Sequence, residues 1–239
     1  MKYYAAFDIE SWKEFPQGED WRKYTPLGIS CAAVQTFGRP EPMLFYNEVD
    51  FASGAAMAKA DNIAVLEYLE GVRNDGATIL TWNGTFDFEN LAIESGEVER
   101  CAALALDSWD MMYHLFCLKG FPLSLDTAAK GMGLPGKTEG MHGDLAPVMW
   151  KESNEKRLKV LEYVGQDVIT TLDVALAVMQ ANCMEWTSKS GRPMRVPMRP
   201  MTVRECLQLP EADNSWMTNP IPKSQFYSWI SQEESVDDE

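Results

Sequence analysis

The chain has 239 residues, of which 46% are hydrophobic and 24% charged, and its formal net charge is −15. That is enough chain to bury one core of generous size. No run approaches eighteen apolar residues and Asp8 interrupts the N-terminal apolar stretch early, so neither a membrane-spanning helix nor a signal peptide is expected.

Five scattered cysteines (31, 101, 117, 183 and 206) include no Cys-x-x-Cys pair, and the histidines are two, His114 and His142. This argues against a disulfide scaffold, a zinc ribbon and a histidine metal site, and fits a reducing compartment, the cytoplasm. Residues 3–9 read as a short buried strand ending in Asp8 and Glu10, followed by an aromatic-rich loop over 11–26. Strands follow at 27–34 and 43–46. Apolar residues spaced three and four apart predict a helix over 55–73, which Asn74-Asp75-Gly76 stops. A strand over 77–82 leads through Asn83-Gly84 into a helix over 85–94. A last strand is expected over 104–109, then helices to 118 and over 124–132, the latter capped by Ser124. A Gly- and Pro-containing loop at 131–147 precedes the longest helical pattern, 153–182. A hairpin about Ser188–Arg192, a Pro-rich extension and a disordered end at 232–239 complete the chain. The order of elements points to an α/β layer with a mixed sheet.

The negative charge is uneven. Residues 186–204 hold five basic side chains and no acid, whereas 205–239 hold eight acids and one lysine. A basic strip on an acidic body can bind a polyanion locally, the more so where some of the acids hold cations.

Three acidic clusters occupy informative places. Asp8 and Glu10, two apart at a strand end, share one face of the sheet. Asp87 sits on the opening turn of a helix. Tyr163 and Asp167, four apart on the long helix, share a helical face, and Asp167 lies beside Val164 and Val168. Taken singly, each suits a solvated charge or a helix cap equally well. Four carboxylates converging on one spot would raise one another's pKa, so they need cations to stay ionised. Oxygen ligands without histidine or cysteine favour Mg²⁺ or Mn²⁺, and two such ions can clamp the attacking and leaving oxygens of a phosphodiester displacement.

Phe7-Asp8-Ile9-Glu10, Asn83-Gly84-Thr85-Phe86-Asp87 and Tyr163-Val164-Gly165-Gln166-Asp167 resemble the three motifs of the DEDD 3′–5′ exonucleases, and the tyrosine marks the DEDDy branch. The segment Leu123–Asp126 through Gly133–Lys137 is similar to the helix and loop between motifs two and three. Asp8 to Asp87 is 79 residues and Asp87 to Asp167 is 80. The resemblance extends over about residues 1–183 and is strongest to stand-alone relatives of the proofreading domain of family-B DNA polymerases. It implies an α/β, ribonuclease-H-like fold: a mixed five-stranded sheet of order 3-2-1-4-5, strand two antiparallel, flanked by helices. Residues 1–183 would form the exonuclease domain and 184–239 a basic hairpin and Pro-rich extension.

The resemblance also implies roles. Asp8 would bridge two divalent cations, Mg²⁺ or Mn²⁺. Glu10 and Asp167 would complete the site that activates water, and Asp87 would hold the second ion. Tyr163 would orient the attacking water, and Asn83 and Phe86 would shape the floor under the terminal nucleotide. The implied activity is a two-metal 3′–5′ exonuclease on a single-stranded end, DNA favoured over RNA, releasing nucleoside 5′-monophosphates. An RNA-trimming exonuclease, a structure-specific endonuclease and a non-catalytic nucleic-acid-binding module remain as alternatives, although a pure binder gains nothing from four clustered carboxylates.

Beyond the motifs, Trp12, Trp21 and Tyr24 suit either base stacking near an entering 3′ end or a small accessory core. Asp107 and Asp110 suit helix capping or surface placement better than the metal site. Lys137 is a phosphate-contact candidate. Lys189 and Arg192, with Arg195, Arg199 and Arg204, form a strip able to follow a nucleic-acid backbone or to stand solvated. Trp216, Phe226, Tyr227 and Trp229 point to docking of the tail on the domain or on a protein partner.

Overall fold

The computed structural model describes residues 3–136 and 143–230; Lys137, His142 and the 232–239 end lie outside them. Strand β1 (Tyr3–Ser11) is the middle of a five-stranded sheet of order β3-β2-β1-β4-β5. The other members are β2 (Ile29–Thr36), β3 (Met43–Tyr46), β4 (Ala77–Thr81) and β5 (Trp109–Asp110). β2 runs antiparallel to β1 and to β3, while β4 pairs parallel with both β1 and β5. The sheet is mixed, as expected.

Helices cover both faces, which is why β1 reads as a continuous apolar run rather than an alternating one. Ala5, Phe7 and Ile9 enter one hydrophobic cluster with α1 (Lys59–Asn74), α2 (Gly84–Ser95), α3 (Val98–Asp107) and α4 (Met111–Lys119). Tyr4 and Ala6 enter the other, with α5 (Leu125–Gly131), α6 (Ala146–Glu152) and α7 (Asn154–Ala181). Side chains alternate along a strand, so Asp8 and Glu10 continue the Tyr4–Ala6 face, the one that α7 covers. Both carboxylates therefore point under the long helix.

Two expectations are corrected. Residues 104–107 are the end of α3 and not a strand, leaving β5 two residues long. The apolar run Ala102–Leu106 consists of helix-favouring Ala and Leu, and Cys101, Leu104 and Ala105 fall on one helical face. The first helix begins at Lys59 and not at 55, because Ala58 is still extended and the Met57 N–H donates to Ile29 O at 2.7 Å. Asp61 then caps α1 by accepting from the Ala58 N–H at 2.7 Å.

The hairpin is formed by β6 (Cys183–Thr187) and β7 (Pro193–Pro197), with its turn at the expected residues. It lies flat on the end of α5: a Cβ at Gly131 would collide with the Glu185 carbonyl oxygen, so the approach requires glycine. A short helix that the sequence reading lacked, α8 (Val203–Leu207), carries a Thr202–Glu205 capping box. The tail then docks on the domain. Val203, Cys206, Tyr227 and Ile230 join the α1–α4 cluster, and buried Lys223 donates to Leu207 O and Leu209 O. All five cysteines are buried free thiols. No helix among the described residues is long and apolar enough to cross a membrane.

Candidate active site

The β1–β4 pairing stops at Ala6↔Leu80. Past that row the sheet opens, and the Ile9 N–H is satisfied by the Asp87 carboxylate of α2, at 3.0 Å, instead of by a neighbouring strand. This bond ties motif two to motif one across 78 residues. Asp87 is 2% exposed. Burial first, and then the Asp8 and Asp110 carboxylates, push its carboxyl well above the usual range, against the opposing pull of the Ile9 N–H.

On the other side of β1, α7 brings Asp167 to the same place. Ligand oxygens of Asp8, Glu10 and Asp167 all lie within 4.8 Å of one another. Tyr163, one helical turn earlier, is hydrogen-bonded to Asp167. Its burial, reinforced by Asp167, Glu10 and Asp8, holds the phenol well above its ordinary pKa, so it stays protonated and donates. All three sequence clusters thus meet at one end of the sheet.

Asp8, Glu10, Tyr163 and Asp167 line the floor of an open cleft of about 700 Å³, whereas Asp87, buried behind Ile9, is not part of its lining. One wall is aromatic. Phe86 stands edge-on to Trp21 at 5.1 Å, with Phe15 at 6.3 Å. Arg22 stacks on Trp21 and clamps Glu89 of α2 in a fork, with N–O distances of 2.6–2.9 Å, so the loop after β1 is fastened to the helix that carries Asp87. The opposite wall is Pro122–Leu125, held to the sheet by the Trp82 indole N–H donating to Leu123 O at 2.9 Å. Gln17, in the loop after β1, donates to Asp144, which precedes α6 and also lines the cleft, at 2.8 Å.

Other sequence candidates are placed differently. Asn83 lines the cleft in a left-handed conformation (φ 74°), which asparagine tolerates and which aims α2 at the carboxylates. Trp12, expected among the substrate contacts, is not part of the cleft lining. Its indole donates to Gly54 O at 2.9 Å and Lys151 lies over its ring, so it serves the accessory core. Tyr24 is turned to Glu19. Lys189 and Arg192 stand exposed on the hairpin turn, outside the cleft wall. Arg195 and Arg204 are engaged with Glu185 and Asp107. Lys137 lies outside the described residues.

Asp110 proved more central than sequence reasoning allowed. It is 1% exposed and accepts four hydrogen bonds: from the N–H groups of Asn83 (3.1 Å), Gly84 (2.8 Å) and Tyr113 (3.0 Å), and from the Tyr227 hydroxyl (2.7 Å). It caps α4 and holds the turn that launches α2. Burial pushes its carboxyl up, and the four donors pull it back. The Asp-before-helix pattern signals the cap, but nothing in the sequence signals Tyr227, 117 residues away. Phe226, beside it, lines the cleft.

Gly84 shows how tight this turn is. A Cβ there would collide with the Thr81 hydroxyl on β4. Gly84→Ala is expected to lower stability by about 1–3 kcal/mol, because the clash is relieved only by displacing the turn that carries Asp87. Urea melting checks this; a wild-type midpoint would refute it.

The donor set fits hard divalent cations, since it consists of carboxylate oxygens with no nitrogen or sulfur ligand among them. No family model matches the sequence, and no curated protein matches it. Solved structures do match in fold, among them the family B DNA polymerase from the hyperthermophilic archaeon Pyrobaculum calidifontis, with a TM-score of 0.54 and 20% sequence identity. The match covers 74% of this chain and 24% of the polymerase, so the chain corresponds to about a quarter of that protein.

Proposed function

We propose that the chain is a metal-dependent 3′–5′ exonuclease that hydrolyses the terminal phosphodiester of single-stranded nucleic acid, DNA in preference to RNA, and releases nucleoside 5′-monophosphates. The observation that carries this reading is the meeting of Asp8, Glu10 and Asp167 within 4.8 Å on the floor of an aromatic-walled cleft. Asp8, Glu10 and Asp167 would hold one Mg²⁺ or Mn²⁺, and Asp8 with Asp87 a second. Bound there, the cations supply Lewis acidity and neutralise the charge that the phosphate gains during displacement.

The chain's own groups do the rest. Tyr163 keeps its proton, so it orients the attacking water by a hydrogen bond and does not act as a base. Phe86, Trp21 and Phe15 offer ring faces and edges to the terminal bases, and Asn83 shapes the floor beneath them. The Arg22–Glu89 clamp keeps that wall in register with Asp87.

The test is a time course on 5′-labelled single-stranded DNA and RNA of equal sequence, in Mn²⁺ and in EDTA, beside Asp8→Ala. A metal-dependent ladder shortening from the 3′ end, absent in the variant, is expected. Full cleavage by Asp8→Ala, or cleavage in EDTA, would sink the assignment.

A further inference from the structure

Trp216 is 65% exposed, yet its backbone is firmly held. The turn Asn214–Met217 is closed by the Met217 N–H donating to Asn214 O at 2.9 Å. Asp213 accepts from both the N–H and the hydroxyl of Ser215, at 3.1 and 2.7 Å. The turn is seated on the domain at Gly120, the C-cap of α4, where a Cβ would lie 3.0 Å from Asn214 Cβ and 3.6 Å from Ala212 Cβ. A large aromatic ring left in water on a built turn forgoes its burial, and an exposed ring that is continuous with other rings forms the kind of patch that marks a binding surface.

The ring also has neighbours of its own kind. Trp216 stands edge-on to Phe121 at 6.0 Å, and Phe121 stands edge-on to Trp186 of β6 at 6.2 Å. Pro122 and Leu123, the residues directly after Phe121, are cleft wall. Phe121 and Trp216 therefore stand just beyond the Pro122–Leu125 wall, outside the cleft lining but next to it along the chain. Lys119 closes the last turn of α4 beside it, and Lys189 and Arg192 occupy the exposed turn of the hairpin that carries Trp186.

We propose that Phe121 and Trp216 form a stacking platform for the bases that precede the terminal nucleotide of a single-stranded nucleic acid. The proposal rests on the nuclease reading of the cleft. A strand whose 3′ end lies at Asp8 has to leave along one wall, and the Pro122–Leu125 wall leads to these two rings, with cations on the α4 end and on the hairpin next to them; rings together with cations bind single strands without regard to sequence. Every base has a face to stack, so the platform adds affinity with substrate length and not base preference.

Binding of 5′-fluorescein-labelled dT3 and dT16 by anisotropy in Ca²⁺, with cleavage of both in Mn²⁺, tests this on wild type, Trp216→Ala and Trp216→Phe. Trp216→Ala is expected to weaken dT16 about tenfold and to leave dT3 unchanged, with Trp216→Phe close to wild type. An unchanged dT16 affinity in Trp216→Ala, with cleavage intact, overturns the platform and leaves the nuclease reading standing; a turn that instead docks a protein would give this result. Equal loss on both lengths also overturns it, because the tail then merely supports the cleft. Wild type that neither binds nor cuts either oligonucleotide overturns both readings.

Discussion

Asp167→Asn is expected to lower cleavage on the order of 10³-fold while the metal-free protein melts no lower than wild type. The two effects have opposite sign because they draw on the same charge. Carboxylate pairs within 4.8 Å repel by about 3 kcal/mol at an effective dielectric constant near 20. The amide keeps an acceptor for the Tyr163 hydroxyl, so the hydrogen bond from one helical turn away survives while one repelling charge goes. What the amide lacks is the charge that draws a divalent cation. A ligand at a hundred times its Kd stabilises the folded state by about 2.7 kcal/mol, so Mn²⁺ should raise the melting temperature of wild type by several degrees and that of Asp167→Asn far less. Calorimetry with and without Mn²⁺, beside the cleavage assay, reads both. Undiminished cleavage, or the same Mn²⁺-induced rise in the variant, would remove Asp167 from the site.

Asp110→Ala is expected to have the largest effect on stability, about 3–5 kcal/mol, or roughly 10 °C in melting temperature. The methyl group leaves the N–H groups of Asn83, Gly84 and Tyr113 and the Tyr227 hydroxyl without their acceptor in a site from which water is excluded. Orphaned buried donors lose their full hydration, which is why removing one acceptor of four costs more than removing any one donor. Tyr227→Phe supplies the contrast. It deletes a single bond, keeps the ring against Tyr113, and should lose about 1–2 kcal/mol with cleavage largely kept. In Asp110→Ala cleavage should fall as well, since the turn that aims Asp87 is released. A variant that melts within two or three degrees of wild type would show that Asp110 is a passive cap.

Much of this was legible beforehand for a physical reason. The Asp8–Glu10 pair two residues apart, the Ser124 cap and the periodicity of α7 are short-range features, and short-range features are written in neighbouring residues. They foretell which face of β1 turns acidic and which face of α7 presents Tyr163 and Asp167. The likeness to a known set of motifs supplied the order of the sheet, which the structure bears out. Short apolar runs were the weak point. Residues 104–109 read as strand, but the Ala and Leu of 102–106 favour helix, and Cys101, Leu104 and Ala105 pack as a helical face on the α1–α4 side.

What the tertiary structure alone decided lies at long range. The bond from Ile9 to Asp87 exists because β4 ends one row short of the carboxylates, a matter of register between strands more than seventy residues apart. Trp12 left the substrate wall because Gly54 offered its indole a carbonyl, while Trp21 stayed because Arg22 reached Glu89. Asp110 became the hub of the α2 turn only when the tail returned with Tyr227. Local sequence determined the groups and the faces they occupy. Burial determined their partners, because a polar atom withdrawn from water must pair with whatever donor or acceptor the packing brings to it, however distant along the chain.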